Sequence, residues 1–491
     1  VAAAKKQPLW LLALILAVYC VLGTLYAAQT PRWQTPDEPA HFNYIRYLAE
    51  NARLPVLQVG DFPAQYLEQI KAARFPPEMP IDSIRYESHQ PPLYYALAAV
   101  VYRVSAGLGF AGQFLALRLF SVLLGAALLL VIYALVREIF PENPFLPLAA
   151  TAFAAGVPMH LALTAAINND TLAELLLALV LWQSVRALRE GLSTRRAIAI
   201  GVLVGLAELT KTTVYLPLAA AALPAMWVNA QGGLRARLRY LLALTAPALL
   251  LLTPWLVRNA VVYGGLDVLA WQRHELVAAG QMRTAERLAQ IGAARLAQEF
   301  ALTTFRSFWA QFGWMGVPVD QRIYLGLVLF CGLLAVGLLV FVWRARSGAL
   351  TVSPFQRRAL WLLTAAAGLS IATFLGYNFG FLQPQGRYLF PALGPLALAA
   401  GLSLRELLRP RTARCVAGAL VALGMALLAL GLLRGNVSGW GLALLAACAG
   451  FFTSAGWLPA RWRWLSPAAL LAAFVALDLA CLWAYVVPFL R

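Results

Sequence analysis

Asp37 and Glu38, in the stretch Gln34-Thr35-Pro36-Asp37-Glu38-Pro39-Ala40-His41, follow the first long apolar run of a chain with few charges. An acid pair there has two readings. Thr35 as N-cap, Pro36 at the first helical position and Glu38 at the third would form a capping box, and acids complement the helix dipole. Alternatively, a carboxylate at a helix mouth beside a bilayer is placed to take a proton from a hydroxyl about 3 Å away. Capping accounts for Glu38 better than for Asp37. His41 lies one turn on, on the same helical face, and is a candidate sugar or acceptor contact.

Three further groups have the right chemistry. In Glu87-Ser88-His89-Gln90-Pro91-Pro92-Leu93-Tyr94-Tyr95, His89 and Gln90 either cap the following helix or face a sugar or phosphate. In Asn168-Asn169-Asp170-Thr171, Asp170 can be an N-cap, but three adjacent polar groups exceed what a cap needs. They could bind sugar hydroxyls or a divalent cation. Arg118, Glu208, Lys211, Arg258 and Arg387 each stand at the end of an apolar run, where charge is costly and functional by default. Snorkelling suffices for Arg118 and Arg258. Lys211 (Leu209-Thr210-Lys211-Thr212) and Arg387 (Gln383-Pro384-Gln385-Gly386-Arg387-Tyr388) sit in turns too short to let them swing away. A pinned cation suits a phosphate, Arg as a fork and Lys as a point charge. Gln385 and Tyr388 flank the arginine. Trp309, Phe312 and Trp314 read as an interfacial aromatic belt or, alternatively, a stacking platform.

The elements that position these residues are membrane helices. The chain has 491 residues, 61% of them hydrophobic and 12% charged. Apolar runs of about 18 to 24 residues recur throughout, the length that crosses a bilayer core. An all-α polytopic membrane protein is expected, with about 13 spans near 9–28, 118–135, 145–163, 171–188, 197–210, 213–229, 238–257, 323–343, 359–378, 388–404, 413–433, 437–456 and 465–489. Residues 91–107 are expected to lie along the membrane. The run after Lys5 and Lys6 is long enough to remain as an anchor. None of the five cysteines lies in a long polar loop, so neither disulfide framework nor zinc site is indicated.

Charge sets the expected topology. With the N-terminus cytoplasmic, the inner segments hold 20 of the 39 basic residues and only four of the 21 acids. That positive-inside bias accounts for most of the net +18 and makes a nucleic-acid partner improbable. Loops 29–117 and 258–322 then face outward. The first carries helices from Thr35 to about Asn51, at 64–74 and at 91–107; the second carries an amphipathic helix near 282–304. Residues 1–404 read as a catalytic membrane module and 405–491 as a C-terminal transmembrane extension.

Together the residues resemble the GT-C superfamily of integral-membrane glycosyltransferases, which includes lipid A aminoarabinose transferases and protein O-mannosyltransferases. The resemblance rests on PDEPAHFNYIRYLAE, HQPPLYY, ALRLFSVLLG, NNDTLAE and LTKTT, in that order, over about residues 9–400. QPPLYY, NNDTLA and QGRYLFP look more narrowly like a bacterial family of GT-C relatives of unknown function. The resemblance implies a polyprenyl-phosphate-linked sugar donor and a glycan, lipid or protein acceptor at the outer face of the plasma membrane. Asp37 would be the general base and Glu38 an acceptor-side or metal partner. Lys211, Arg387 and Arg118 would hold the donor phosphate. His41, His89, Gln90, Asn169, Asp170, Gln385 and Tyr388 would contact sugar or acceptor. A divalent cation shared by Asp37, Glu38 and Asp170 stays open. The implied chemistry is one inverting displacement, with cations neutralising the leaving phosphate. No soluble C-terminal domain is read, so a peptide-sequon acceptor is not expected. A flippase for lipid-linked saccharides would instead place polar groups near mid-span, where Asp478 is the main carboxylate. A non-catalytic envelope assembly role fits if Asp37 is only a cap.

Overall fold

The computed structural model describes residues 9–228 and 233–491, nearly all of them helical or in turns between helices. Lys5, Lys6 and the last residue of the expected span 213–229 lie outside the described residues. The first third comprises α1 (Leu9–Gln29), α2 (Glu38–Asn51), α3 (Ala64–Ala72), α4 (Leu93–Val104) and α5 (Gly109–Ile139). Then come α6 (Phe145–Ala155), α7 (Pro158–Thr164), α8 (Asp170–Glu190), α9 (Thr194–Glu208), α10 (Tyr215–Leu218), α11 (Leu223–Val228) and α12 (Gly233–Tyr263). The second long loop holds α13 (Trp271–Val277), α14 (Thr284–Ile291) and α15 (Ala293–Trp309). A two-stranded antiparallel ribbon follows, pairing Gln311 with Pro318 and Phe312 with Val317. The chain continues through α16 (Gln321–Arg346), α17 (Pro354–Gly380), α18 (Leu393–Leu407), α19 (Pro410–Leu433), α20 (Gly439–Trp457), α21 (Leu465–Cys481) and α22 (Val487–Leu490).

Among the described residues ten helices are long and apolar enough to cross a membrane, or eleven if α6 and α7 form one span bent by 70°. The bend has a cause: Pro158 removes a backbone donor, and Gly156 lets the Phe474 ring approach where a Cβ would meet it at 2.9 Å. The expected thirteen therefore becomes ten or eleven. The expected span 197–210 is the 15-residue α9, which rises only about 22 Å. The expected span 213–229 breaks into short turns and the four-residue α10 around Pro217. The second expected span is longer than read: α5 begins at Gly109, so Arg118 lies inside it rather than opening it.

The loop helices are packed, not splayed. Tyr44 of α2 stacks on Tyr95 of α4 with centroids 3.7 Å apart, and Arg103 of α4 donates to the Ala49 carbonyl at the end of α2. One face of α4 is buried (Tyr94, Tyr95, Ala98, Ala99) while Leu97, Val100 and Val104 are exposed, the pattern of a helix lying along a membrane. Arg258 at the end of α12 is not a free snorkel: it donates to the Pro55 carbonyl, Asn259 and Tyr263. The aromatic belt is also replaced. Trp309 and Phe312 are core residues, and Trp314 donates its indole N–H to the Trp33 carbonyl at 2.9 Å.

The α19–α20 hairpin has its own apolar cluster. Cys481, Leu482, Val486, Val487 and Leu490 instead join the main core, where Tyr26 of α1 donates to the Asp478 carbonyl.

Candidate active site

Four segments meet at one end of the bundle: the turn before α2, the turn Tyr86–His89, the α9 end with the start of α8, and the Gly386–Ala392 turn before α18. A backbone bond from Leu93 N–H to the Leu209 carbonyl, 2.9 Å, ties the second to the third.

Asp37 has φ of +67°, the left-handed region that non-glycine residues seldom occupy. Its carboxylate makes no cap bond. One oxygen accepts from the Tyr86 hydroxyl at 2.7 Å, the other from Arg387 Nη2 at 2.6 Å. The capping box expected from Thr35 to Glu38 does not form. The helix starts at Glu38, Pro39 takes the first-turn proline position, and the Glu38 carboxylate is committed elsewhere.

Glu38 and Arg118 are 0% and 2% exposed and face each other as a fork. Arg118 Nε and Nη2 donate to the two Glu38 oxygens at 2.8 Å, and its other N–H groups reach the carbonyls of Ala27, Thr30 and Pro31. All five guanidinium donors are thus used. Glu38 also accepts from the backbone N–H of Trp33 and of Ile167. The donor-phosphate role expected for Arg118, and the acceptor or metal role expected for Glu38, therefore give way to a structural one. The pair locks the end of α1, the Asp37 turn and α5 into register.

The second pair is Lys211 with Asp170, Nζ to Oδ1 at 2.6 Å. Asp170 is the first helical residue of α8 and not its N-cap; its N–H donates to Asn168 Oδ1 at 3.0 Å, and its carboxylate faces Lys211. Asn169 donates to the Thr210 carbonyl at 3.2 Å, holding the Lys211 turn against α8.

Gly386 aims Arg387. Its N–H donates to Ser307 Oγ at 2.8 Å, and a Cβ there would lie 2.2 Å from the Thr304 carbonyl oxygen and 2.4 Å from the Phe308 nitrogen. Only glycine lets this turn rest on the backbone of α15. Arg387 also donates to the Tyr388 hydroxyl at 3.3 Å.

Of the remaining candidates, His41 is bonded to the Tyr95 hydroxyl at 2.8 Å. His89 donates Nδ1–H to the Tyr86 carbonyl at 2.9 Å, so it caps its own turn rather than α4. Its ring lies 4.7 Å from that of His274. Gln385 donates to Gln383. Five buried polar atoms on these segments lack a hydrogen-bond partner: Glu87 Oε2, Gln90 Oε1, Asn169 Oδ1, Gln385 Oε1 and Arg387 Nε. Buried polar groups are normally satisfied, so these atoms are available to bond water or a polar ligand. Tyr86 and Glu87 were the residues that sequence spacing missed. Their one sequence signal is adjacency to His89.

Electrostatics divides the roles. Burial alone would raise the Asp37 pKa, but Arg387, His41 and the Tyr86 hydroxyl outweigh it and hold the acid down at about 2. Burial raises Glu87 and lowers His41, and holds His89 at about 4. For Lys211, burial is outweighed by Asp170 and Glu87, so the ammonium keeps its charge. Asp37, Glu38 and Asp170 do not suit a shared cation. Among the described residues no three His, Cys, Asp or Glu groups converge on one, and Asp37 and Asp170 each face a cation already.

Comparisons with known proteins bear on the fold. A family model described as dolichyl-phosphate-mannose-protein mannosyltransferase matches residues 89–257, which carry HQPPLYY, Arg118, Asp170 and Lys211. ArnT from Cupriavidus metallidurans in the apo state aligns over 98% of this chain and 76% of its own, at TM-score 0.52 and 17% identity. This chain has the GT-C glycosyltransferase fold. The same ArnT bound to undecaprenyl phosphate aligns over the same shares at TM-score 0.50 and 17% identity. The apo oligosaccharyltransferase of Archaeoglobus fulgidus aligns over 95% of this chain at TM-score 0.50 and 15% identity, and this chain spans only 56% of that one. A search of curated protein sequences gives no match.

Proposed function

We propose that this chain is an inverting glycosyltransferase, moving a sugar from a polyprenyl-phosphate donor to an acceptor hydroxyl at the extracytoplasmic face of the plasma membrane, with its N-terminus cytoplasmic. A single observation carries the reading. Two carboxylates and two cations pair as Asp37–Arg387 and Asp170–Lys211, on segments that also carry the unpartnered polar atoms. Lys211 and Arg387 lie within electrostatic reach of each other, and we assign the donor phosphate to both.

Donor phosphate would compete with Asp37 for Arg387 and with Asp170 for Lys211. As the guanidinium turns toward phosphate, Asp37 loses the main influence that keeps it a weak base. The acceptor oxygen then attacks the anomeric carbon as its proton passes to Asp37. The bond from that carbon to the phosphate oxygen breaks, and its electron pair leaves with the lipid phosphate. Lys211 and Arg387 neutralise the charge that grows there, so no second carboxylate is needed as acid. Hydrolytic glycosidases, by contrast, use two. His41, His89, Gln90, Asn169, Gln385 and Tyr388 are assigned to sugar and acceptor contacts.

Binding of polyprenyl phosphate, the product of this reaction, tests the phosphate assignment. Lys211→Met should weaken it about tenfold or more, the order expected for losing one charge-assisted bond. Titration of the purified protein would show this, and an unchanged affinity would remove Lys211 from the site. Gly386→Ala should act on the same measurement through geometry, because its Cβ cannot be accommodated without moving Arg387. A loss of affinity together with a lowered unfolding temperature is expected, because the added Cβ overpacks against the backbone of α15.

A further inference from the structure

At the opposite end of the bundle from Asp37, the end of α16 and the start of α17 enclose a groove of about 490 Å³. Phe341 and Ala345 of α16, Val352 of the connection and Leu360 of α17 form its apolar wall. Arg346, Arg357 and Trp361 stand at its rim. The groove runs into the exposed faces of the two helices, where Leu339, Trp343 and Trp361 are 67% or more exposed.

The arginines here differ in their surroundings. Arg344 is consumed by Glu406 at 2.6 Å and by the Ala349 carbonyl, and Glu406 also faces Arg405 and Arg409. Among the described residues the side chains of Arg346 and Arg357 make no hydrogen bond or ion pair, and the nearby carboxylate is already shared by other arginines. The helix dipole explains Arg346, in the last turn of α16, but not Arg357. Arg357 lies at the start of α17, behind a capping box of Ser353 and Gln356, where a cation opposes the dipole and an anion is favoured. An anion between the two guanidiniums would meet both cations and the positive end of α17. The apolar wall and the exposed tryptophan directly beneath would meet hydrocarbon.

We propose that this groove binds an anionic glycerophospholipid, its phosphate between Arg346 and Arg357 and its acyl chains along Phe341, Leu360 and Trp361. Basic pockets between membrane helices are suited to such headgroups. The site is separate from the candidate active site: α17, 27 residues long, spans about 40 Å between them. A lipid there would brace the α16–α17 connection, and α17 ends beside the turn that carries Arg387.

The test uses the full-length protein in detergent, with phosphatidylglycerol, phosphatidylcholine or inorganic phosphate added separately. Retained lipid is read by native mass spectrometry and stability by thermal unfolding. Phosphatidylglycerol should be retained and raise the unfolding temperature, and phosphatidylcholine should do neither. The double variant Arg346→Gln, Arg357→Gln should weaken retention about thirty-fold, the order expected for two cations near a membrane surface. Arg387→Gln, in the candidate active site, should leave it unchanged. Both exposed arginines can be replaced without opening the core, and Trp361→Ala should weaken lipid binding through the chains alone. Phosphatidylglycerol retention unchanged in the double variant would overturn the proposal. So would inorganic phosphate stabilising as well as phosphatidylglycerol, which would make the groove a free-phosphate site.

Discussion

Asp37→Asn is expected to slow sugar transfer by about 10²- to 10⁴-fold, the range general-base catalysis contributes. The amide keeps the size of the carboxylate and can still accept from Tyr86, so the turn before α2 should hold its shape. What disappears is the proton acceptor and the charge that competes with donor phosphate for Arg387. Donor affinity should therefore stay the same or rise while kcat falls. A merely structural acid would give the opposite split, with stability lost and kcat per folded molecule kept. Burial pushes Asp37 up and Arg387, His41 and Tyr86 bring it down to about 2, so the free protein carries it ionised throughout the neutral and mildly acidic range. Arg387→Gln removes the largest of those opposing influences. Burial then prevails, and the acid limb of the kcat/KM profile should move to higher pH. A profile that does not move would separate Arg387 from Asp37 in function.

Arg118→Met is expected to destabilise the fold by about 3–5 kcal/mol, because it leaves the Glu38 carboxylate buried without its charge partner. Three carbonyls at the end of α1 lose their donor in the same step. Thermal unfolding in detergent measures the loss. Combining Arg118→Met with Glu38→Gln should recover part of it, since the buried charge is then gone. If Arg118 held donor phosphate instead, Arg118→Met would leave the unfolding temperature nearly unchanged and lower donor affinity. The two outcomes do not overlap.

Much of this was legible in the residues. Long apolar runs with few charges revealed the spans, and short pinned turns marked Lys211 and Arg387. Asp37 stood out as an acid that capping did not fully explain, and it lies 2.6 Å from Arg387 across 350 residues of chain. Other parts could not be read. The Glu38–Arg118 fork depends on two helices meeting, and no spacing rule connects residues 80 apart. Arg118 looked like an interfacial cation because an arginine near the end of an apolar run is the same whether it faces water or a buried carboxylate. The span count failed at Pro158 and Pro217, where proline breaks the chain, and at α9, whose 15 residues are too few to cross. At those prolines apolar composition outlasts the helix. Tyr86 and Glu87 were passed over because their importance comes from the turn Tyr86–His89 folding back on Asp37.

The most direct measurement takes the wild-type protein in proteoliposomes with a panel of polyprenyl-phosphate sugars of known anomeric configuration. It follows release of lipid phosphate and determines the configuration of the product by NMR. The expected result is consumption of at least one donor, with the anomeric centre inverted in a single displacement assisted by one base. Retention of configuration would require a second nucleophile at the site and would contradict the role given to Asp37. Failure to consume or bind any polyprenyl-phosphate sugar would contradict the reading as a whole.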